Sequence, residues 1–178
     1  MKTTVLIFHP DLAHSRVNQA LQRGLGDDLE VRDLYALYPD FQIDVAAEQA
    51  VLTSADRIVL QFPLYWYSSP ALLKQWQDVV LTHGWAYGSQ GVALHGKEVV
   101  LAVSPGSNNY GRTDFVKYTV TELLRPFQAM SRLTGLVYKA PFLTLGAASL
   151  SAAALQRQAV KYNAYLHQPT LPTLGDFE

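Results

Sequence analysis

Three short, almost unbroken apolar runs set the strongest limit on how this chain folds. They are TTVLIF at 3–8, RIVLQF at 57–62 and EVVLAV at 98–103. Runs that lack polar–apolar alternation are typical of strands buried on both faces of a parallel sheet. Segments with helical spacing separate the runs, as right-handed crossovers between parallel strands require. The sequence therefore predicts an α/β fold with helices on both faces of a parallel sheet.

The weaker elements extend this alternation to about five strand–helix units. Two shorter strands are predicted at 29–33 and 136–138, with a loop at 34–40. Capping residues, prolines and apolar spacing predict helices at 16–23, 45–52, 70–81, 114–124, 126–133 and 152–166. Five strands with a phosphate-type loop after the first favour the flavodoxin-like order 2-1-3-4-5. We expect residues 1–178 to form one such domain, with 167–178 extended.

Composition argues against several classes of function. The net charge is −1 and no basic run is present, so we expect no nucleic-acid partner. Cysteine is absent, and the five histidines lack metal-ligand spacing, so we expect no metal site. The apolar amino-terminal run is too short for a signal peptide, and no segment is long enough to span a bilayer. We therefore expect a cytoplasmic protein.

The most unusual segment follows the central strand. Residues 63–67 read PLYWY, although loops are normally polar and exposed. These side chains either cap the core or line a flat apolar ligand. Their position favours the ligand, because ligands of open α/β sheets bind outside the carboxyl ends of the strands.

Three loops are predicted to meet at that end of the sheet: 9–18, 63–67 and 104–111. The first leads into a helix whose free N–H groups suit a phosphate, although it has neither a GxGxxG nor a Walker motif. The second offers aromatic walls, and the third offers small residues that allow close approach of the backbone. A ligand with a phosphate and a flat heteroaromatic ring satisfies all three loops, and flavin mononucleotide (FMN) has that shape.

Four segments carry a family resemblance: FHPDLAHSRVNQAL (8–21), DLYALYPDFQIDVAAEQAVL (33–52), QFPLYWYSSPALLKQWQDVVLTHGWAYG (61–88) and LLRPFQAM (123–130). With them the chain resembles the flavodoxin-like NAD(P)H:quinone oxidoreductases, the family of mammalian DT-diaphorase and bacterial modulator-of-drug-activity proteins. It is most similar to the ancillary proteins of glutathione-regulated potassium-efflux (Kef) systems. The resemblance covers most of the chain to about residue 145.

The resemblance implies a homodimer that passes two electrons as hydride from NAD(P)H, through bound FMN, to a quinone. It assigns the cofactor to His9, Ser15, Val17, Asn18, Pro63, Leu64, Tyr65, Trp66, Tyr67, Ser104, Gly106 and Ser107. Trp85 and Tyr87 are expected in the substrate pocket, contributed by the second subunit. Tyr110 is expected to act in catalysis by donating a hydrogen bond to the flavin.

Two departures from the family pattern keep alternatives open. The fourth-strand loop usually reads T-T-G-G, whereas Pro105 here removes one N–H group. Diaphorase-type members carry a histidine shortly after the tyrosine, but none follows Tyr110 before His167. An ancillary subunit of a membrane potassium-efflux antiporter, at the inner face of the membrane and with weak reductase activity, is therefore the second hypothesis. A flavodoxin-type electron carrier is the third.

Several details of the chemistry stay open at this point. The long carboxyl-terminal extension of the mammalian enzymes is missing, which favours FMN and leaves FAD possible. No charged residue can be assigned to a 2′-phosphate, so NADH and NADPH are both possible donors. The natural electron acceptor is not identified.

Overall fold

A six-stranded parallel sheet forms the centre of the computed structural model, which describes residues 1–175. Its strands are β1 (Thr3–Ile7), β2 (Glu30–Asp33), β3 (Arg57–Pro63), β4 (Glu98–Ser104), β5 (Val137–Tyr138) and β6 (Phe142–Leu143). The path is β2-β1-β3-β4-β5, which confirms the predicted order. The short β6 is an addition that pairs with β4 beyond β5. Pro141 lies between the two short strands, where its missing N–H interrupts the edge.

Within residues 1–175, seven helices connect or flank these strands. They are α1 (Arg16–Arg23), α2 (Leu34–Leu37), α3 (Val45–Ser54), α4 (Ala71–Val80), α5 (Val120–Leu123), α6 (Arg125–Thr134) and α7 (Ala152–Leu166). A short 3-10 turn, Leu12–His14, precedes α1. Within the described chain, none of the helices is long and apolar enough to cross a membrane.

The predicted helix at 114–124 is wrong over its first half. Thr119 caps α5, because it forms a reciprocal capping box with Glu122. Before it, Lys117 has a left-handed φ of 68°, which a continuous helix does not allow. The loop predicted at 34–40 also contains a helical turn, α2. Asp33 caps it, because its carboxylate accepts a hydrogen bond from the Ala36 N–H at 3.2 Å.

The sheet separates two hydrophobic layers, because successive side chains of each strand point to opposite faces. On one face Leu60 and Phe62 pack with buried residues of α3, α4 and α6, and the Phe62 ring stacks on Phe127 at 5.4 Å. On the other face Val5 and Val59 pack with buried residues of α1 and α7. Both layers hold the strand ends, and the loops that follow them, in fixed relative positions.

Buried Arg57 ties the end of α7 to the start of β3. Its guanidinium donates to Glu98 Oε2 at 2.6 Å and to the carbonyls of Leu166 and Gln168 at 2.6 and 3.1 Å. The chain then follows the sheet edge, where the N–H of Leu174 donates to the Tyr138 carbonyl at 3.2 Å. The extended tail was predicted over 167–178. The N–H of Ala140 also donates to the Pro172 carbonyl at 2.8 Å, so residues 172–174 lie along this edge, and 176–178 lie outside the described residues.

Candidate functional site

A cavity of about 510 Å³ lies at the carboxyl ends of β1, β3 and β4. The strand register places Pro63 beside Ser104, so the loops after β3 and β4 begin side by side. Most of the predicted cofactor residues line this cavity: His9, Ser15, Val17, Asn18, Pro63, Leu64, Tyr65, Ser104 and Gly106. The structure therefore brings together residues from all three predicted loops.

Four further lining residues were not predicted: His14, Arg16, Ala147 and Ala148. His14 and Arg16 belong to the first predicted loop, so their proximity was a signal available in the sequence. The two alanines come from a loop after β6 that pairs with the loop after β4. The N–H groups of Ala147 and Ala148 donate to the carbonyls of Pro105 and Gly106 at 3.0 and 3.1 Å. No local sequence pattern indicates this contact between distant loops.

Asn18 organises the hydroxyl groups of the cavity. Its buried amide donates to Ser104 Oγ at 3.0 Å and to Ser15 Oγ at 3.4 Å, and its backbone N–H donates to Ser15 Oγ at 3.2 Å. Both serine oxygens accept from Asn18, so each hydroxyl proton remains free to be donated to a ligand. Behind Asn18, Gln61 Nε2 donates to the Asn18 carbonyl at 3.0 Å. Gln61 Oε1 is buried and has no partner among residues 1–175.

His9 is a neutral hydrogen-bond donor in this arrangement. Its Nδ1 accepts the N–H of Asp11 at 3.1 Å, so the ring proton of the neutral form lies on Nε2. Burial lowers the pKa of His9, an effect that outweighs the nearby Asp11 carboxylate, which raises it. The His9 ring meets Tyr65 edge-on at 6.3 Å. A Nε2–H donor therefore stands beside the free N–H groups of α1.

The loop after β4 offers backbone donors. The N–H groups of Gly106 and Ser107 have no acceptor within the described part of the chain. A Cβ placed on Gly106 would meet no protein atom within 4 Å, because the residue borders the open cavity. Ser107 lies just outside the cavity wall, and its hydroxyl donates to Asn109 Oδ1 at 2.5 Å. One end of the cavity therefore offers hydrogen-bond donors for an anion, and the other end offers backbone N–H groups and an apolar wall. This arrangement fits the phosphate and the flat ring of FMN.

The aromatic loop closes in a strained two-residue turn. Tyr65 and Ser68 exchange backbone hydrogen bonds at 3.0 and 2.9 Å. Between them Trp66 and Tyr67 have φ values of 47° and 64°, which non-glycine residues rarely adopt. Trp66 is 92% exposed, so packing does not explain this strain. Strained backbone of this kind concentrates at functional sites.

Trp66, Tyr67 and Tyr110 stand beside the cavity and do not line it. The Tyr67 and Tyr110 rings meet edge-on at 6.4 Å. Burial, and secondarily Tyr67, raise the pKa of Tyr110, so its phenol remains a proton donor at neutral pH.

Trp85 and Tyr87 are not brought to the cavity of the same chain. Trp85 is half-buried against the core on the α3 and α4 side of the sheet. Tyr87 meets His83 edge-on at 5.5 Å and borders a separate groove of about 570 Å³ between α4 and α6. Their predicted role requires a second subunit and stays a prediction. No group of three or more potential metal-ligating side chains occurs among residues 1–175.

The sequence of this chain is similar to those of several known proteins. The chain matches the family described as flavodoxin-like fold over residues 1–166. It is 50% identical over 173 residues to general stress protein 14 of Bacillus subtilis, covering 95% of this chain and 99% of the relative. It is 46% identical to the uncharacterized NAD(P)H oxidoreductase YrkL of the same species, covering 93% and 98%. It is 47% identical over 142 residues to the glutathione-regulated potassium-efflux system ancillary protein KefF of Salmonella schwarzengrund, covering 78% and 80%.

Solved structures share the whole fold. A chain described as a thermophilic tryptophan halogenase from Streptomycin violaceusniger superposes with a TM-score of 0.91 at 44% identity, covering 94% of this chain and 99% of that one. General stress protein 14 of Treponema denticola, solved in complex with FMN, gives 0.87 at 41%, covering 93% and 98%. An NADPH-quinone reductase from P. pentosaceus gives 0.82 at 36%, covering 93% and 97%.

Proposed function

Because the chain belongs to the flavodoxin-like fold family, with a cavity suited to FMN, we propose that it is an FMN-dependent NAD(P)H:quinone oxidoreductase. The observation that carries the proposal is the cavity itself, where anion donors, backbone donors and an aromatic wall converge at the carboxyl ends of three strands. The FMN complex of the Treponema denticola relative and the reductase names of other relatives support it. Bound FMN supplies the ability to accept two electrons and pass them on.

The first part of the site holds the phosphate. At the start of α1 the N–H groups of Arg16 and Val17 have no acceptor within residues 1–175, and the helix dipole makes this end of the helix positive. The Ser15 hydroxyl and His9 Nε2–H add two directed donors. These groups bind and orient the cofactor, because each is already held by Asn18 or Asp11 before a ligand arrives.

The second part of the site surrounds the ring. Leu64 and Tyr65 form an apolar wall that excludes water from one side. The N–H groups of Gly106 and Ser107 are positioned to stabilise negative charge at the polar edge of the ring, in the manner of an oxyanion hole. Ser104 contributes its hydroxyl proton at the base of the same loop.

Substrates approach past the exposed turn. Trp66 and Tyr67 form the rim of the site, and Tyr110 lies against Tyr67, where its phenol is kept protonated. In a homodimer, Trp85 and Tyr87 of a second copy complete the substrate pocket. We place this homodimer in the cytoplasm, with nicotinamide and quinone using the same slot in turn.

The first experiment is the visible spectrum of the purified protein, with the released chromophore identified by mass. A yellow protein that releases FMN and reduces quinones with NADH or NADPH supports the proposal. A colourless protein that takes up no added flavin refutes it.

Tyr110→Phe tests the catalytic assignment. Loss of one donor to developing charge is expected to lower turnover by about ten- to a hundredfold with bound FMN unchanged. Tyr118→Phe is the matched control, since Tyr118 is an exposed tyrosine of the same loop. Equal turnover in both variants removes Tyr110 from the mechanism.

A second candidate function rests on the similarity to the potassium-efflux ancillary protein. In this alternative the chain is a regulatory subunit bound to a potassium-efflux antiporter at the inner face of the membrane, and its reductase activity is secondary. Co-purification with such an antiporter, together with stimulated potassium efflux from vesicles, supports this alternative. Efflux that is unchanged by the added protein argues against it.

A further inference from the structure

Gln61 is a polar side chain inside the buried central strand β3. Alternate residues of a strand share a face, so Gln61 lies on the same face as Val59, toward α1 and α7. It is fully buried, yet its Oε1 has no hydrogen-bond partner among residues 1–175. A buried acceptor without a partner lowers stability, and an apolar side chain would avoid this loss. A local rule that is broken in this way is expected at a functional site.

The backbone carbonyl of Asn18 fixes the direction of the Gln61 amide. Gln61 Nε2 lies 3.0 Å from this carbonyl oxygen, which can only accept a hydrogen bond. If the amide were reversed, Gln61 Oε1 would take the place of Nε2 and two acceptors would face each other. The Gln61 amide therefore has one allowed direction, with its N–H groups toward Asn18.

Gln61 in turn fixes the direction of the Asn18 side chain. Gln61 Nε2 lies 3.4 Å from Asn18 Oδ1, so a reversed Asn18 amide would bring N–H groups of both side chains together. In the allowed direction, Asn18 Nδ2 donates to Ser104 Oγ at 3.0 Å and to Ser15 Oγ at 3.4 Å. In the reversed direction, Asn18 Oδ1 would instead accept the two hydroxyl protons. Only the allowed direction leaves these protons for a ligand.

We propose that Gln61 is a positioning residue, which acts through Asn18 to keep the hydroxyl protons of Ser104 and Ser15 directed into the cavity. This inference rests on the FMN site of the proposed function. Gln61 itself does not line the cavity. Its effect is to make both hydroxyls donors, so that the cavity binds hydrogen-bond acceptors of the ligand in preference to donors.

Gln61→Glu tests this role, because its effect depends on pH. A protonated carboxyl can donate to the Asn18 carbonyl, as the amide does. An ionised carboxyl cannot donate, and it would attract the Asn18 N–H groups and reverse that amide. Burial raises the pKa of a carboxyl, so the affinity should change between about pH 5.5 and about pH 8.5. Quenching of flavin fluorescence on the full-length chain, after bound flavin has been removed, gives the dissociation constant for FMN.

Each variant is compared with the wild type at the same pH, because His9 and the FMN phosphate titrate in both proteins. Gln61→Glu should bind FMN within about threefold of the wild type at about pH 5.5, and about tenfold or more weakly at about pH 8.5. Gln61→Met keeps the length of the side chain and removes its amide. It should weaken FMN binding about tenfold at both pH values.

Gln128→Glu is the matched control. Buried Gln128 also donates from Nε2 to a backbone carbonyl, that of Gly175, at 2.6 Å. It belongs to α6, which covers the opposite face of the sheet, and it does not line the cavity. Its affinity for FMN should equal that of the wild type at both pH values.

A second measurement does not need the flavin. The side-chain amide signals of Asn18 in the proton–nitrogen NMR spectrum of the flavin-free chain are identified by their loss in Asn18→Ala. In Gln61→Met these signals should shift and broaden, because the Asn18 amide no longer has one allowed direction. Signals that stay at their wild-type positions would overturn the inference.

Two binding results also overturn the inference alone. One is a Gln61→Met protein that binds FMN like the wild type. The other is an equal loss of affinity at both pH values in Gln61→Glu, which would mean that Gln61 only packs under α1. A wild-type chain that binds no FMN refutes the proposed function, and the Asn18 amide signals then decide the inference. A chain that shows the pH effect and no quinone turnover supports the inference while refuting the oxidoreductase.

Discussion

Replacing Asn18 by alanine should damage the fold and the cofactor site together. The Asn18 amide is buried and joins α1 to the end of β4 through its 3.0 Å bond to Ser104 Oγ. Its bonds to Ser15 Oγ and from Gln61 Nε2 are both 3.4 Å long and contribute less. The truncation leaves the hydroxyls of Ser15 and Ser104 without the amide donor that directs their protons toward the cavity.

The size of the expected stability loss follows from these contacts. One well-formed hydrogen bond contributes about 1 kcal/mol, and a buried group left without a partner costs about 1–3 kcal/mol. Because the cavity admits water to Ser104, we expect the free energy of unfolding to fall by an amount near the lower end of the summed contributions, about 2 kcal/mol. For a chain of this length that loss corresponds to a melting temperature lower by about 4–8 °C. The affinity for FMN should fall about tenfold, since two donors lose their fixed direction.

Thermal unfolding followed by circular dichroism measures the first effect, and flavin fluorescence measures the second. Asn163→Ala is the control, because Asn163 Oδ1 accepts the Gly26 N–H at 2.9 Å far from the cavity. It should lower the melting temperature by a smaller amount and leave FMN binding unchanged. An Asn18→Ala protein with wild-type stability and wild-type FMN affinity would refute the assigned role of Asn18.

Two further predictions concern the turn and the tail. Trp66→Gly removes left-handed strain of about 1–2 kcal/mol against an added entropy cost of about 0.5–1 kcal/mol. The variant should therefore have a slightly higher melting temperature, while its KM for quinone rises. A lower melting temperature would contradict the claim that the Trp66 backbone is strained. Hydrogen bonding to the Asn163 carbonyl, followed by Asp28, raises the pKa of His167. The stabilisation from protonated His167 is complete below the pKa of this residue in the unfolded chain. It is lost as the pH rises through the pKa in the folded chain. His167→Gln should thus cost less than about 1 kcal/mol at about pH 5.5 and nothing at about pH 8.5, as measured by urea unfolding.

The sheet was predictable because each buried strand carries its own signal. The runs at 3–8, 57–62 and 98–103 are apolar over most of their length, and in a parallel sheet both faces of such strands are covered. The helix at 114–124 was mispredicted because its residues suit a helix, while the competing cap at Thr119 and the left-handed Lys117 start α5 later. The two residues of β6 lack a periodic pattern, so their pairing with β4 was not predictable.

The candidate site was predictable where it depends on strand ends. His9 and Ser15 follow β1, Leu64 follows β3 and Gly106 follows β4, so one rule about parallel sheets predicts their convergence. Ala147 was missed because its place in the wall depends on hydrogen bonds to a loop about forty residues earlier in the chain.

The sequence by itself determined the fold class, the strand order and three of the loops that form the cavity, because strand burial and helix caps are local properties of the chain. Tertiary structure decided which side chains of those loops face one another. It placed Asn18 between two serines and left Trp66 and Tyr67 outside the cavity wall. These outcomes depend on the register of β3 against β4 and on the loop packed across Pro105, and neither contact lies within one segment of the sequence.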